Sequence, residues 1–154
     1  MRTAIVTGRI DAAALLGEVA AVEHGATSLF LGTVRDVNES RAVTGIEYAA
    51  YEPMAAAELD RIAGEAAARF GTDALVVEHR IGDLGLGDIS VAIAVSHAHR
   101  TPALDATRFV IEELKKRVPI WKREHYVDGT MVWIDPTRKP QVTGLASPSS
   151  TFGS

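Results

Sequence analysis

Polar and apolar positions along this chain follow two periods, one of short strands and one of amphipathic helices. Residues 3–7 (TAIVT) predict a short first strand. Asp11 is placed to cap a helix carrying Leu15, Leu16, Val19 and Val22, with Gly25 as its stop. The apolar run TSLFLGTV from Thr27 and the alternating TGIEYAAY from Thr44 predict two strands, and the link RDVNESRAV between them has loop composition. Pro53 suits the first turn of a second helix on which Met54, Leu59, Ile62 and Ala66 share a face, and Gly71 ends it. ALVVEHRI and DISVAIAVS predict two further strands joined by GDLGLGD, a tight connection. Thr101 then caps a third helix with Pro102 at its first position and Leu104, Ile111, Leu114 and Val118 on its buried stripe. Pro119 stops that helix, and a last strand, MVWI, follows Asp128-Gly129.

Strand, helix, two strands, helix, two strands, helix, strand is the order of an α+β domain with a largely antiparallel sheet and about three helices. A chain of 154 residues, 47% of them hydrophobic, holds one such core. The expected division is one folded domain over residues 1–136 and a loose, Pro/Ser/Thr/Gly-rich tail over 137–154. MRTAIVTGRIDAAALL breaks its apolar run at Thr7, Gly8, Arg9 and Asp11, unlike a signal peptide, and no stretch is long enough to span a bilayer, so a cytoplasmic protein is expected. There is no cysteine. Disulfides, thiolate metal sites and a cysteine nucleophile are excluded, and any sulfur chemistry must take its reactive sulfur from elsewhere.

Charge adds a location. Between His97 and Arg123 lie seven Lys or Arg against three acids, a local balance of +4 in a chain of net charge -4, which leaves -8 elsewhere. That asymmetry suggests a positive pocket for a small anion, although a solvated helix face would look the same. His99 and Arg100 precede a helix start, where backbone N–H groups favour a phosphate. At the other end of that helix Lys115 precedes a PIW turn that can bring Lys122 back towards it; two close lysines lower each other's pKa and yield a reactive amine. LKKRVPIWKRE reads equally well as a surface corner pinned by Pro119 and Trp121. His97 and His99 share a strand face as a metal pair does, but the spacing of His24, His79 and His125 suggests no third ligand, and no metal or resident cofactor is expected. Gly82, Gly85 and Gly87 lack the Lys-Ser/Thr ending of a phosphate loop, and Ser96 lacks the glycine frame of a nucleophile elbow.

Six motifs in one order make the reading specific: FLGTVRD (30–36), YEPMA (51–55), EHRIGDLGLGD (78–88), SHAHR (96–100), LKKRVPIWKRE (114–124) and DGTMVW (128–133). Together, over Thr27 to Ile134, they resemble the catalytic subunit of molybdopterin synthase. The resemblance implies sulfur transfer from the C-terminal Gly-Gly thiocarboxylate of a small ubiquitin-like partner to cyclic pyranopterin monophosphate, giving the dithiolene of molybdopterin. It implies that Arg35 contacts the substrate phosphate, with Thr33 and Val34 on the same turn, and that His99 and Arg100 bind substrate. Lys115, rather than Lys116, matches the essential lysine; Lys122 matches the second, with Arg123 and Glu124 completing the binding segment. It further implies a homodimer with one small subunit at each end, a heterotetramer in which His99 and Arg100 can serve the neighbouring protomer's site. A non-catalytic anion-binding module is the alternative, against which the retention of both lysines argues. A nucleic-acid binder is disfavoured by the net charge and by an aromatic content of 6%.

Overall fold

Residues 1–134 are described by the computed structural model, so the expected tail, with Arg138 and Lys139, lies outside the described residues. In chain order the elements are β1 (Arg2–Val6), α1 (Ala12–Val19), β2 (Ala26–Thr33), β3 (Val37–Asn38), β4 (Arg41–Ala50), α2 (Glu52–Phe70), β5 (Leu75–Arg80), β6 (Gly82–Gly85), β7 (Ile89–His97), α3 (Arg100–Arg117), β8 (Ile120–Tyr126) and β9 (Met131–Ile134). This is the expected α+β class. A four-stranded sheet runs β1-β5-β7-β2, and a second runs β3-β4-β8-β9 with β6 also paired to β4. Among the described residues β1 against β5 is the one parallel pairing.

The two central strands of the first sheet, β5 and β7, are covered on both faces where they are apolar, from Leu75 to Val77 and from Val91 to Val95, before β5 turns polar at Glu78, His79 and Arg80. On one face α2 and α3 lay Leu59, Ile62, Val110 and Leu114 over Val77, Ile93 and Val95. On the other, Leu15 and Val19 of α1 cover Val76, Ala92 and Ala94. Each fully buried Leu, Ile or Val here contributes about 1.5–3 kcal/mol. A third cluster, Val34, Val43, Ile46, Leu84 and Tyr126, packs the second sheet where it meets the end of β2. No helix among the described residues is long and apolar enough to cross a membrane.

Several boundaries follow the sequence. The Asp11 carboxylate accepts from the Ala14 amide at 3.1 Å and caps α1. Pro53 sits in the first turn of α2, and Gly71 closes that helix with φ at +71°, a left-handed conformation open to glycine. Val118 is extended ahead of Pro119, where α3 stops.

Others differ. α1 ends at Val19, not Gly25: the Val19 carbonyl accepts from the buried Ser96 hydroxyl, and Val22 lies outside the helix, fully exposed. α3 starts at Arg100 with His99 at its cap, one residue before Thr101, so Pro102 is the third helical residue; the His99 amide is held by the His97 ring at 2.9 Å. Leu104 is exposed, and Ala103, Ala106 and Thr107 take the buried positions instead. The link at residues 35–43 is not a plain loop but a hairpin of β3 and β4, turned by Glu39 and Ser40 at φ +49° and +67°. GDLGLGD contains the short strand β6 before its tight turn. Beyond Pro119 the chain enters β8, a seven-residue strand paired to β4 and β9.

Candidate functional site

Where the end of β2 and the start of β7 meet β4 and β8, the two sheets enclose a pocket of about 220 Å³. Its wall combines Phe30, Gly32 and Thr33 of β2, Ser90 and Val91 of β7, Val43, Ile46 and Tyr48 of β4, Lys122 and Glu124 of β8, Lys115 of α3, and Arg35 and Asn38 from the hairpin. Gly32 is required by close approach: a Cβ there would stand 2.7 Å from the Val91 side chain.

The last turn of α3 sends its three basic residues three ways, as a 100° step dictates. Arg117 turns to α2, where Glu58 and Glu65 each accept at 2.7 Å and clamp the two helices together. Lys116 faces solvent, with Glu113 at 3.4 Å. Lys115, next to the buried Leu114, turns into the pocket wall. Lys115 is exposed by surface area, as a residue lining an open recess can be. Burial, and then the neighbouring Lys122 charge, lower its pKa from the ordinary lysine value.

Beneath it lies His79, whose ring meets Tyr48 edge-on at 5.3 Å between centroids. Nδ1–H of His79 donates to the Arg80 carbonyl at 2.9 Å. Burial lowers the His79 pKa to about 4, with Lys115 adding to the effect, so the imidazole is neutral and the positive charge of this corner belongs to the lysines. Burial likewise raises the Tyr48 phenol, against the Ser90 hydroxyl hydrogen-bonded to it.

β8 supplies the opposite wall. Ile120, Lys122, Glu124 and Tyr126 share its inward face by the two-residue period. Glu124 is 2% exposed, yet both its oxygens are engaged. The Asn38 amide donates to them at 2.9 and 2.8 Å, the Tyr126 hydroxyl donates at 2.9 Å, and the Lys122 ammonium stands at 3.4 Å. Burial and the Glu124 bond push the Tyr126 phenol up to about 12. Arg35, at the exposed rim, makes a long 3.4 Å contact to the Asn38 carbonyl oxygen. The result is a polar recess with two lysines within it and an arginine at its mouth.

Thr33, Arg35, Lys115, Lys122 and Glu124, expected from the sequence, thus come together. Val34 does not join them: it is buried in the core below, its amide bonded to the Asp88 carbonyl at 3.0 Å. Arg123 points to the other face of the second sheet, paired with Glu47 and stacked on Trp133 at 4.8 Å. His99 and Arg100 lie past the far end of β7, roughly 20 Å or more from the Ser90–Val91 end at a strand's rise per residue. The wall also takes Phe30, Asn38, Tyr48 and Ser90, to which the sequence motifs assign no role. Ser90, a lone hydroxyl opening an apolar strand, and Tyr48, on the inward period of β4, carried a readable signal.

On that other face Glu47, Asp83 and His125 bring ligand atoms within 4.8 Å of one another, the arrangement among the described residues nearest to a metal site. The guanidinium of Arg123 already neutralises Glu47 there, so an entering cation meets a fixed positive charge.

The family model described as "MoaE protein" matches residues 5–117. This chain belongs to the MoaE family. Among its relatives, the molybdopterin synthase catalytic subunit of Synechococcus elongatus is 46% identical over 112 residues, covering 72% of this chain and 68% of the relative. The crystal structure of molybdopterin synthase from Staphylococcus aureus superposes with a TM-score of 0.79 at 35% identity, covering 84% of this chain and 94% of that one. A Helicobacter pylori complex of subunits 1 and 2 of molybdopterin-converting factor contains a chain with TM-score 0.68 and 24% identity, covering 85% of this chain and 88% of that one, a likeness of fold. The MoaE chain described here spans about two thirds of the length of its curated relatives, 60% for the one from Emericella nidulans.

Proposed function

We propose that this chain is the catalytic subunit of a molybdopterin synthase, a sulfurtransferase that carries sulfur from a partner's C-terminal thiocarboxylate to cyclic pyranopterin monophosphate. The observation that supports this best is the convergence of Lys115 and Lys122 on one recess, with Arg35 at its rim, in a chain that has no cysteine. A thiocarboxylate tail and a phosphorylated pterin are both anionic, and the recess is lined by three cations against one carboxylate already bonded to its neighbours.

In this reading Arg35 holds the substrate phosphate, and a homodimer brings His99 and Arg100 of a second copy to complete the phosphate site. The thiocarboxylate sulfur attacks an oxygen-bearing carbon of the pterin side chain; the carbon–oxygen bond there breaks, its oxygen leaving as water or as a released phosphate oxygen, and the sulfur now bridges the partner's acyl carbon and the pterin. Water then adds to the acyl carbon, the carbon–sulfur bond of the partner breaks, and the sulfur stays on the pterin while the partner leaves as a carboxylate. Lys115 and Lys122 stabilise the oxyanion and move the protons. Lys115, with its lowered pKa, is also able to attack the acyl carbon as an amine in place of water, which breaks the same carbon–sulfur bond and leaves the partner's acyl group on the lysine nitrogen. A second round completes the dithiolene.

Reconstitution tests the reading. The chain with substrate and thiocarboxylated partner is expected to form product, and the chain with substrate and free sulfide is not; equal rates in the two would sink the proposal. Arg35→Ala removes a charge-assisted contact at the rim, so substrate affinity should fall about ten- to a hundredfold without loss of the fold. Titration calorimetry with the pterin phosphate checks this, and unchanged affinity moves the phosphate elsewhere.

A further inference from the structure

Asn38 is a buried amide in the pocket wall, 6% exposed, to which neither the sequence motifs nor the proposed chemistry gives a task. We propose that Asn38 is a positioning residue: it holds Glu124 back from a tight pair with Lys122 and ties that carboxylate to Arg35, keeping the Lys122 ammonium available to the reacting groups. The proposal rests on the sulfur-transfer reading and adds to it a device that governs one of its two lysines.

The distances carry the argument. A lysine and a carboxylate left together in a recess of low dielectric close to about 2.7–2.9 Å. Here Glu124 and Lys122 stand at 3.4 Å, while the short bonds to Glu124, 2.8–2.9 Å, come from Asn38 and Tyr126. Two neutral donors therefore take the stronger places on the carboxylate. The Asn38 side chain also turns its carbonyl oxygen to the Arg35 guanidinium. Donating to an anion and accepting from a cation at once suits a neutral amide, whereas an ionised carboxylate cannot donate and an alkyl group can do neither.

The backbone fixes where this amide sits. Asn38 pairs with Arg41 across a two-residue turn whose central residues, Glu39 and Ser40, both have positive φ, a conformation costly for side chains other than glycine and the mark of a hairpin matched to strand twist. Arg41 in turn lies over the Tyr126 ring at 3.6 Å and bonds Asp128 and Thr130 at 3.2 and 2.6 Å. The hairpin is thus fastened to the strand that carries Lys122, Glu124 and Tyr126, and both neutral donors to Glu124 belong to one clamp.

The charged and titratable groups around position 38 are Arg35, Arg41, Tyr48, Lys115, Lys122, Glu124 and Tyr126. Asn38→Asp sets a second carboxyl against Glu124, and the two share a proton more readily as pH falls. In steady-state turnover with the preformed thiocarboxylated partner, kcat of Asn38→Asp should fall at least about tenfold at about pH 8 and recover towards wild type near about pH 6, where the shared proton restores a donor. Asn38→Ala should lose a similar factor and show no such recovery. A flat ratio of Asn38→Asp to Asn38→Ala rates across that range, or kcat within about twofold of wild type in both, overturns the proposal. Melting curves at each pH separate the effect from folding. Should Asn38→Asp not fold, a folded Asn38→Ala decides: kcat lowered about tenfold supports the role, and unchanged kcat overturns it. Wild-type turnover in the same assay tests the reaction itself, so failure of that reading and failure of the role given to Asn38 are told apart.

Discussion

Lys115→Ala is expected to lower turnover by about a hundred- to ten-thousandfold, the range of a lost acid–base group, while Lys116→Ala stays within about twofold of wild type. The two residues are neighbours, and the helix alone separates their fates: Lys116 stands in solvent beside Glu113, whereas Lys115 follows the buried Leu114 into the pocket wall. Partner binding should survive in both variants. The pH profile supplies a second check. Burial and Lys122 both disfavour the charged amine, so the midpoint for Lys115 lies below 10.5. Wild-type kcat should rise with pH through that midpoint if the free amine reacts, and fall through it if the ammonium is the proton donor. Equal activity of Lys115→Ala and wild type, or a larger defect at Lys116, would place the wrong lysine in the site.

The resemblance matched Lys115 rather than Lys116, and the helix with its buried Leu114 is the physical reason that Lys115 lines the pocket and Lys116 does not. The other wall of the pocket was hidden, and for a physical reason. β8 presents Ile120, Lys122, Glu124 and Tyr126 inward and a partly exposed Trp121 outward, so the apolar alternation that marks a strand is obscured by the residues that build the site. Glu39-Ser40 hid the hairpin in the same way, since a turn with two positive φ values usually announces itself by glycine or asparagine. The bonds between Asn38 and Glu124 join residues 86 positions apart, and no local pattern encodes such a contact. His99 and Arg100 show the opposite limit: the motif that singles them out is clear, yet within one chain they sit at the wrong end of β7 for the pocket.

Lys122→Ala should be as damaging to turnover as Lys115→Ala, and unlike it should also lower stability. Lys122 is the cation beside a carboxylate that is 2% exposed, and removing it leaves Glu124 with only neutral donors. Because Asn38 and Tyr126 still hold both oxygens, the loss is set nearer about 1–3 kcal/mol than the larger figure for an abandoned buried charge. For a chain of this length that corresponds to a melting temperature lower by roughly 3–10 °C. Lys122→Arg separates the two roles. A guanidinium restores a permanent positive charge opposite Glu124, so the melting temperature should return most of the way to wild type. It does not give up a proton near neutral pH, so turnover should stay low. Thermal melts and single-turnover rates with preformed thiocarboxylated partner measure both quantities on the same samples. Full activity in Lys122→Arg would reduce Lys122 to a fixed charge and leave the proton transfers to Lys115 alone.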